Sequence, residues 1–225
     1  MNPLTAMPMT DSTDYLAPFS LWVCARRHPR GAGMPFVEPA RAGANPGPLI
    51  FVSRLHAHVY AAFSNREPDR DDLNPWGCLP LQAFGLREYG RALGGKLDCE
   101  LAYGFVADET GALVVADGAP RVRFVELSFE MSDELGEPTF SFNQYAFEFM
   151  RMEWIDIGAP SLLTTFDRID AMRDAAFAQT LDAALSRATL TRHGSDIEHW
   201  AVYDPDAGRW IAAPASVPMH VLTLH

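Results

Sequence analysis

Lysine is almost missing from this chain. Of its 18 basic residues in 225, only Lys96 is not arginine. With the abundance of Ala, Gly and Pro, this reads as the coding bias of a GC-rich bacterium and says nothing of mechanism. Cysteine is scarce as well. Cys24, Cys78 and Cys99 are odd in number and far apart, with no Cys-x-x-Cys, which argues against a disulfide framework and a zinc knuckle. No apolar run is long enough to cross a bilayer. The opening MNPLTAMPMTDSTDY has neither a basic region nor an apolar stretch, so no secretory signal is expected. Gly31-Ala32-Gly33 lacks the third glycine and the preceding strand of a dinucleotide fingerprint. Gly94-Gly95-Lys96-Leu97 lacks the leading glycine and trailing hydroxyl of a phosphate loop. These absences predict a cytoplasmic protein without a cofactor.

The charge present is acidic and unevenly placed. Net charge is −11. Seven Arg balance seven acids over residues 1–75, so residues 76–225 carry the whole excess, 22 acids against 11 bases. An acidic body disfavours nucleic acid and anionic membrane and favours a basic protein partner.

Residues 96–156 organise the rest. Successive side chains of a strand point to opposite faces. In KLDCELAYGF, Leu97, Cys99, Leu101, Tyr103 and Phe105 share one face, with Asp98, Glu100, Ala102 and Gly104 on the other. Asp-Glu-Thr-Gly at 108–111 is turn chemistry, Leu113 to Val115 returns as a partner strand, and Asp117-Gly118 turns again. In the next strand the alternation changes phase. Val122 and Phe124 are apolar with Arg121 and Arg123 outside, then Val125, Leu127 and Phe129 with Glu126, Ser128 and Glu130 outside. A bulge near Phe124–Val125 would keep every apolar group on one oily face, continued by Phe140 and Phe142. The covering helix starts near 141–143, where Ser141-x-x-Gln144 fits a capping box. Phe147, Met150, Trp154 and Ile157 fall at helical spacing, and Gly158 and Pro160 stop the helix. Nothing polar converges on that stripe, so it reads as core.

Elsewhere, residues 1–18 read as a loose arm and the Pro/Gly/Arg-rich stretch 25–48 as a long flexible loop. That loop holds Arg26, Arg27, Arg30, Arg41 and His28 against Glu38. Phe19 to Cys24 and Leu49 to Val52 read as strands. Ser53 caps a helix from Arg54 to about Asn65 with Leu55, Val59 and Phe63 buried. A second helix is expected over Leu79–Leu93. Residues 161–189 form one long helix or two stacked ones. Trp200–Tyr203 and Arg209–Ala212 form a C-terminal hairpin. The whole predicts one α+β domain, 1–225. An antiparallel sheet of four to six strands, central within 97–142, carries helices on one face.

Candidate chemistry is sparse. His56-x-His58 is the best metal pair, but on a helix the two diverge by roughly 200°. A metal-dependent hydrolase using His56 and His58, with His193 and His199 to complete the site, is the alternative reading. Asp204-x-Asp206-x-Gly208 starts like a calcium loop but has Ala215 where the closing Glu is required. Ser195 is in no nucleophile elbow, and Cys99 belongs to the core. The leading expectation is a non-enzymatic protein-binding module. Its docking residues are Asp98, Glu100, Glu126 and Glu130 on the solvated sheet face, and its concrete form is an acidic inhibitor or immunity-type protein that neutralises a basic toxin or enzyme. Neither a catalytic residue nor a bound metal is assigned.

Overall fold

The structure is a computed structural model that describes residues 20–26, 36–37, 39, 46–66, 74–92, 94–130, 144–192, 199–215 and 223–224. In chain order the strands and helices are β1 (Trp22–Arg26), β2 (Phe36–Val37), β3 (Pro46–Phe51), α1 (Arg54–Ser64), β4 (Gly77–Pro80), α2 (Leu86–Ala92), β5 (Lys96–Ala107), β6 (Leu113–Ala116), β7 (Ala119–Pro120) and β8 (Val122–Glu130). Then come α3 (Gln144–Asp156), α4 (Leu162–Asp170), α5 (Asp174–Arg187), β9 (Leu190–Thr191), β10 (His199–Asp204), β11 (Arg209–Pro214) and β12 (Thr223–Leu224). The fold is α+β with a mixed, mostly antiparallel sheet, and β10–β11 is the expected C-terminal hairpin. The sheet has more strands than the four to six expected, because short pieces such as β2, β7 and β9 join its edges. No helix among the described residues is long and apolar enough to cross a membrane.

β5 is the axis. Along one edge it pairs in parallel with β3 (Ile50 opposite Leu101) and, further on, antiparallel with β10 (Ala201 opposite Phe105). Along the other edge it pairs with β8, from Lys96 opposite Glu130 to Phe105 opposite Val122. The register shifts between Ala102 and Gly104, so Tyr103 is an extra residue facing Arg123–Phe124. The bulge thus lies in β5 and not at Phe124–Val125 of β8. A bulge turns the side chains beyond it over to the other face. Leu97, Cys99, Leu101 and Tyr103 share one face as expected, whereas Phe105 joins the core on the opposite face.

Helix α3 covers the first face through Ala146, Met150, Trp154 and Ile157. The indole of Trp154 donates to the Tyr103 carbonyl at 3.1 Å, next to the bulge. The helix ends at Gly158 (φ 85°), where the amide of Ala159 returns to the Trp154 carbonyl, an αL stop that glycine adopts without strain. The second face, which the pattern left to solvent, carries helices too. α1 supplies Leu55, Val59 and Phe63, and α5 supplies Phe177 and Ala184.

Two-sided burial explains the phase change in β8. Its alternation is unbroken: Val122 and Phe124 face α1, while Val125 and Leu127 face α3. Arg123 therefore points inward, against the expectation of an outward side chain. It is buried and bonds the Glu153 carboxylate of α3 at 2.9 Å, so a polar pair does converge on the helix stripe.

The expected helix over Leu79–Leu93 is broken. Residues 77–80 are β4, paired with β1, and Leu81–Ala83 is a single 3-10 turn before α2. Pro80 has no amide to give a helix interior, and pairing with β1 outweighs local helix propensity. Residues 161–189 resolve as two helices, α4 and α5. Ser141, Phe140 and Phe142, the arm 1–18 and most of the loop 25–48 lie outside the described residues; where that loop is described it is sheet, the end of β1, the whole of β2 and the start of β3, because these short pieces find partners that local composition does not reveal.

Candidate functional site

Ser53 is the N-cap of α1, its hydroxyl accepting from the His56 amide at 3.5 Å. The helix then sends its two histidines in different directions, as the spacing requires. The His56 ring is wedged between Phe105 and Phe166, each centroid 5.5 Å away, and neither ring nitrogen has a hydrogen-bond partner among the described residues. Burial disfavours its charged form and drops the pKa to about 3, so His56 is neutral at physiological pH. His58 faces elsewhere. Its Nδ1 lies 2.8 Å from the Arg54 carbonyl, and its ring packs edge-on to Phe177 (4.7 Å) and Trp22 (6.0 Å). The two cannot share a metal ion, and no group of three His, Cys, Asp or Glu among the described residues is placed to hold one. His193 lies outside the described residues.

The partner of His58 is a cysteine. β1 and β4 place Cys24 directly opposite Cys78, 54 residues away in sequence. Their sulfurs are 3.7 Å apart, and neither is in a disulfide. The single S–H of Cys24 is shared between the Ala57 carbonyl at 3.3 Å and the Cys78 sulfur. His58 is the neighbouring group that acts on the Cys78 thiol, and Cys78 acts on it in return. Burial pushes the Cys78 thiol up, but the bond from Cys24, the charge and bond of His58 and the charge of Arg54 together outweigh it and bring the pKa down to about 6. Burial likewise lowers His58, and the Cys78 thiolate and the Arg54 carbonyl more than restore it, leaving its pKa raised. A thiolate–imidazolium pair is what such a balance favours. Arg54 closes this corner: its guanidinium stacks 3.9 Å above Phe177 and bonds the Met172 carbonyl and Asp174. Three cysteines far apart in sequence gave no sign of this pair; only the strand register brings it together.

Cys99 is the opposite case. It lies in the α3-side core, and burial with the neighbouring Asp98 and Glu100 charges pushes its thiol well above the usual range.

The predicted docking acids are placed unevenly. Glu100 and Glu126 are directly opposed across β5 and β8, and Asp98 is two residues along the same face. Asp98 and Glu126 are half-buried, but Glu100 is only 2% exposed. The correction has the same cause as Arg123: this face is covered, not open. Glu130 opposes Lys96 at the end of β8, and its side chain lies outside the described set. Beside Glu100 is a small recess lined by Pro39, Leu49, Tyr60, Arg121, Val122 and Phe124. Asp204 and Asp206 are explained by the hairpin turn. Asp204 accepts from the amides of Asp206 and Ala207, and Asp206 is held by Arg168 and Thr165.

Comparison of the chain with protein-family models, with curated proteins and with solved structures finds no match.

Proposed function

We propose that the protein is a non-enzymatic binding module for a basic protein, most concretely an inhibitor or immunity-type protein of a bacterial cytosol that neutralises a basic toxin or enzyme. The observation that carries this reading is the recess that Glu100 lines, with Glu126 opposite Glu100 across β5 and β8 and Asp98 two residues along the same strand. The recess has apolar walls in Leu49, Val122 and Phe124 and a carboxylate at Glu100. That combination suits the alkyl stem and cationic head of an arginine or lysine from a partner. Arg121 on the same wall limits how much positive charge the recess accepts, which favours a single inserted side chain over a polybasic tract. The surrounding net charge of −11 would speed encounter more than it deepens affinity.

The test titrates 15N-labelled protein with a short Gly/Ser peptide carrying a single arginine, with the same peptide carrying glutamate in its place as control. Amide shifts should cluster at Leu49, Glu100, Val122 and Glu126, weaken as salt is added, and vanish in a folded Glu126→Lys variant. Shifts scattered over the surface, or equal binding by Glu126→Lys, would overturn the reading.

A further inference from the structure

We propose that Cys24 and Cys78 form a reversible disulfide, in which Cys78 reacts first with a small peroxide, Cys24 resolves the product and His58 handles the protons. The geometry that carries this is the cross-strand register that opposes the two cysteines and the 3.7 Å between their sulfurs; the influence of the neighbouring His58 on Cys78 supports it. Directly opposed residues hold their Cβ atoms about 4.5–5.5 Å apart. A disulfide wants about 3.5–4.5 Å, with the sulfurs at about 2.05 Å. Closing the gap takes a side-chain rotation and a slight pinch of β4. Among the described residues β4 pairs only with β1, so it is a sheet edge and can make that movement.

The two sulfurs differ in a way that divides the work. Cys24 keeps its proton, shared between the Ala57 carbonyl and the Cys78 sulfur, while the balance of charges around Cys78 favours loss of its proton to His58. A thiol of pKa about 6 is some 30-fold richer in thiolate at pH 7 than a free cysteine of about 8.5. Cys78 is buried, 6% exposed, so the oxidant proposed is the smallest peroxide. In the first step the Cys78 thiolate attacks one peroxide oxygen. The S–O bond forms, the O–O bond breaks, and the departing hydroxide takes a proton from the His58 imidazolium to become water. In the second, neutral His58 accepts the Cys24 proton and the Cys24 sulfur attacks the Cys78 sulfenic acid. The S–S bond forms, the S–O bond breaks, and the second hydroxide leaves as water with that proton. Two thiols are oxidised and one peroxide is reduced to two waters. The new bond fastens the edge strand β4 to β1 and leaves His58 without its thiolate.

The experiment treats the intact protein with hydrogen peroxide, blocks remaining thiols with iodoacetamide and maps the peptides. Cys24 and Cys78 should disappear together into one intramolecular cross-link that dithiothreitol reverses, while Cys99 stays reduced as the internal control. In Cys24→Ser, dimedone should trap a sulfenic acid at Cys78. The native chain alone supplies a check that needs no variant: alkylation of Cys78 should reach half its maximal rate near pH 6. Cys78 reacting no faster than Cys99, a midpoint near pH 8.5, or cross-links only between molecules would each overturn the proposal.

Discussion

The two faces of the sheet bury polar groups by opposite means. On the α3 face, Arg123 and Glu153 are 1% and 4% exposed and form an ion pair. The guanidinium also lies 5.8 Å from the Tyr103 ring and 5.7 Å from that of Trp200. On the α1 face, His56 is equally buried but loses its charge and goes without a hydrogen bond among the described residues. The contrast shows what each core tolerates. A permanent cation such as arginine cannot be neutralised by burial and needs a counter-charge. An imidazole can shed its proton, so aromatic neighbours suffice.

Breaking the pair on the α3 face should have the largest effect. Glu153→Leu leaves a buried guanidinium without its carboxylate and should cost about 3–5 kcal/mol. The double variant Arg123→Met/Glu153→Leu should regain most of that, because apolar residues of similar volume replace a buried pair at little net cost. Urea unfolding of the single and double variants measures both. A loss below about 1 kcal/mol in the single variant would erase the distinction between the faces.

The α1 face is sharpened by pH. His56 takes up a proton near pH 6.5 in the unfolded chain but only near pH 3 in the fold. Between those values the unfolded state holds the extra proton, so stability falls as pH falls through the window. At about 1.4 kcal/mol per unit, the loss between pH 7 and pH 4 is on the order of 3 kcal/mol. His56→Leu should remove that slope, read from urea midpoints across the range. The smallest effect belongs to neither core. Glu148 and Arg151 form an ion pair on the outer surface of α3, 61% and 44% exposed. Glu148→Ala should cost about 0.5 kcal/mol or less in the same assay, although its charge chemistry matches that of Glu153.

Much of the fold was legible. The Ser53 cap, the α1 stripe, the α3 stripe with its Gly158 stop and the C-terminal hairpin are local signals, and each element forms where its residues predict. What failed was the inference that a strand with charges on one side has a solvated side. Glu100 and Arg123 alternate with apolar residues as surface groups do, yet both are buried because α1 and α3 lie on opposite faces. Period-two patterning reports which residues share a face; it does not report what covers that face. The phase change at Phe124–Val125 was a real signal read wrongly. Apolar residues on both phases of β8 are what a two-sided core needs, and Tyr103, the true bulge, has no local mark. Of the candidate sites, the divergence of His56 and His58 followed from helix geometry. The Cys24–Cys78 pair did not follow from anything local, since cross-strand neighbours 54 residues apart are set by register alone.

The pairing of β5 also bears on the order in which the protein can be made. Its first partner, β3, precedes it and β8 comes soon after it, but the length from Phe105 to Ala107 takes β10, whose residues come roughly ninety positions later. At translation rates of about 5–20 residues per second, that stretch of backbone waits roughly 5–20 s on the ribosome for its neighbour. Throughout that interval it is an unprotected strand edge, able to pair with another nascent chain. A pause in synthesis between β8 and β10 would lengthen the exposure, so the yield of soluble protein should depend on codon choice in that segment more than anywhere else in the gene.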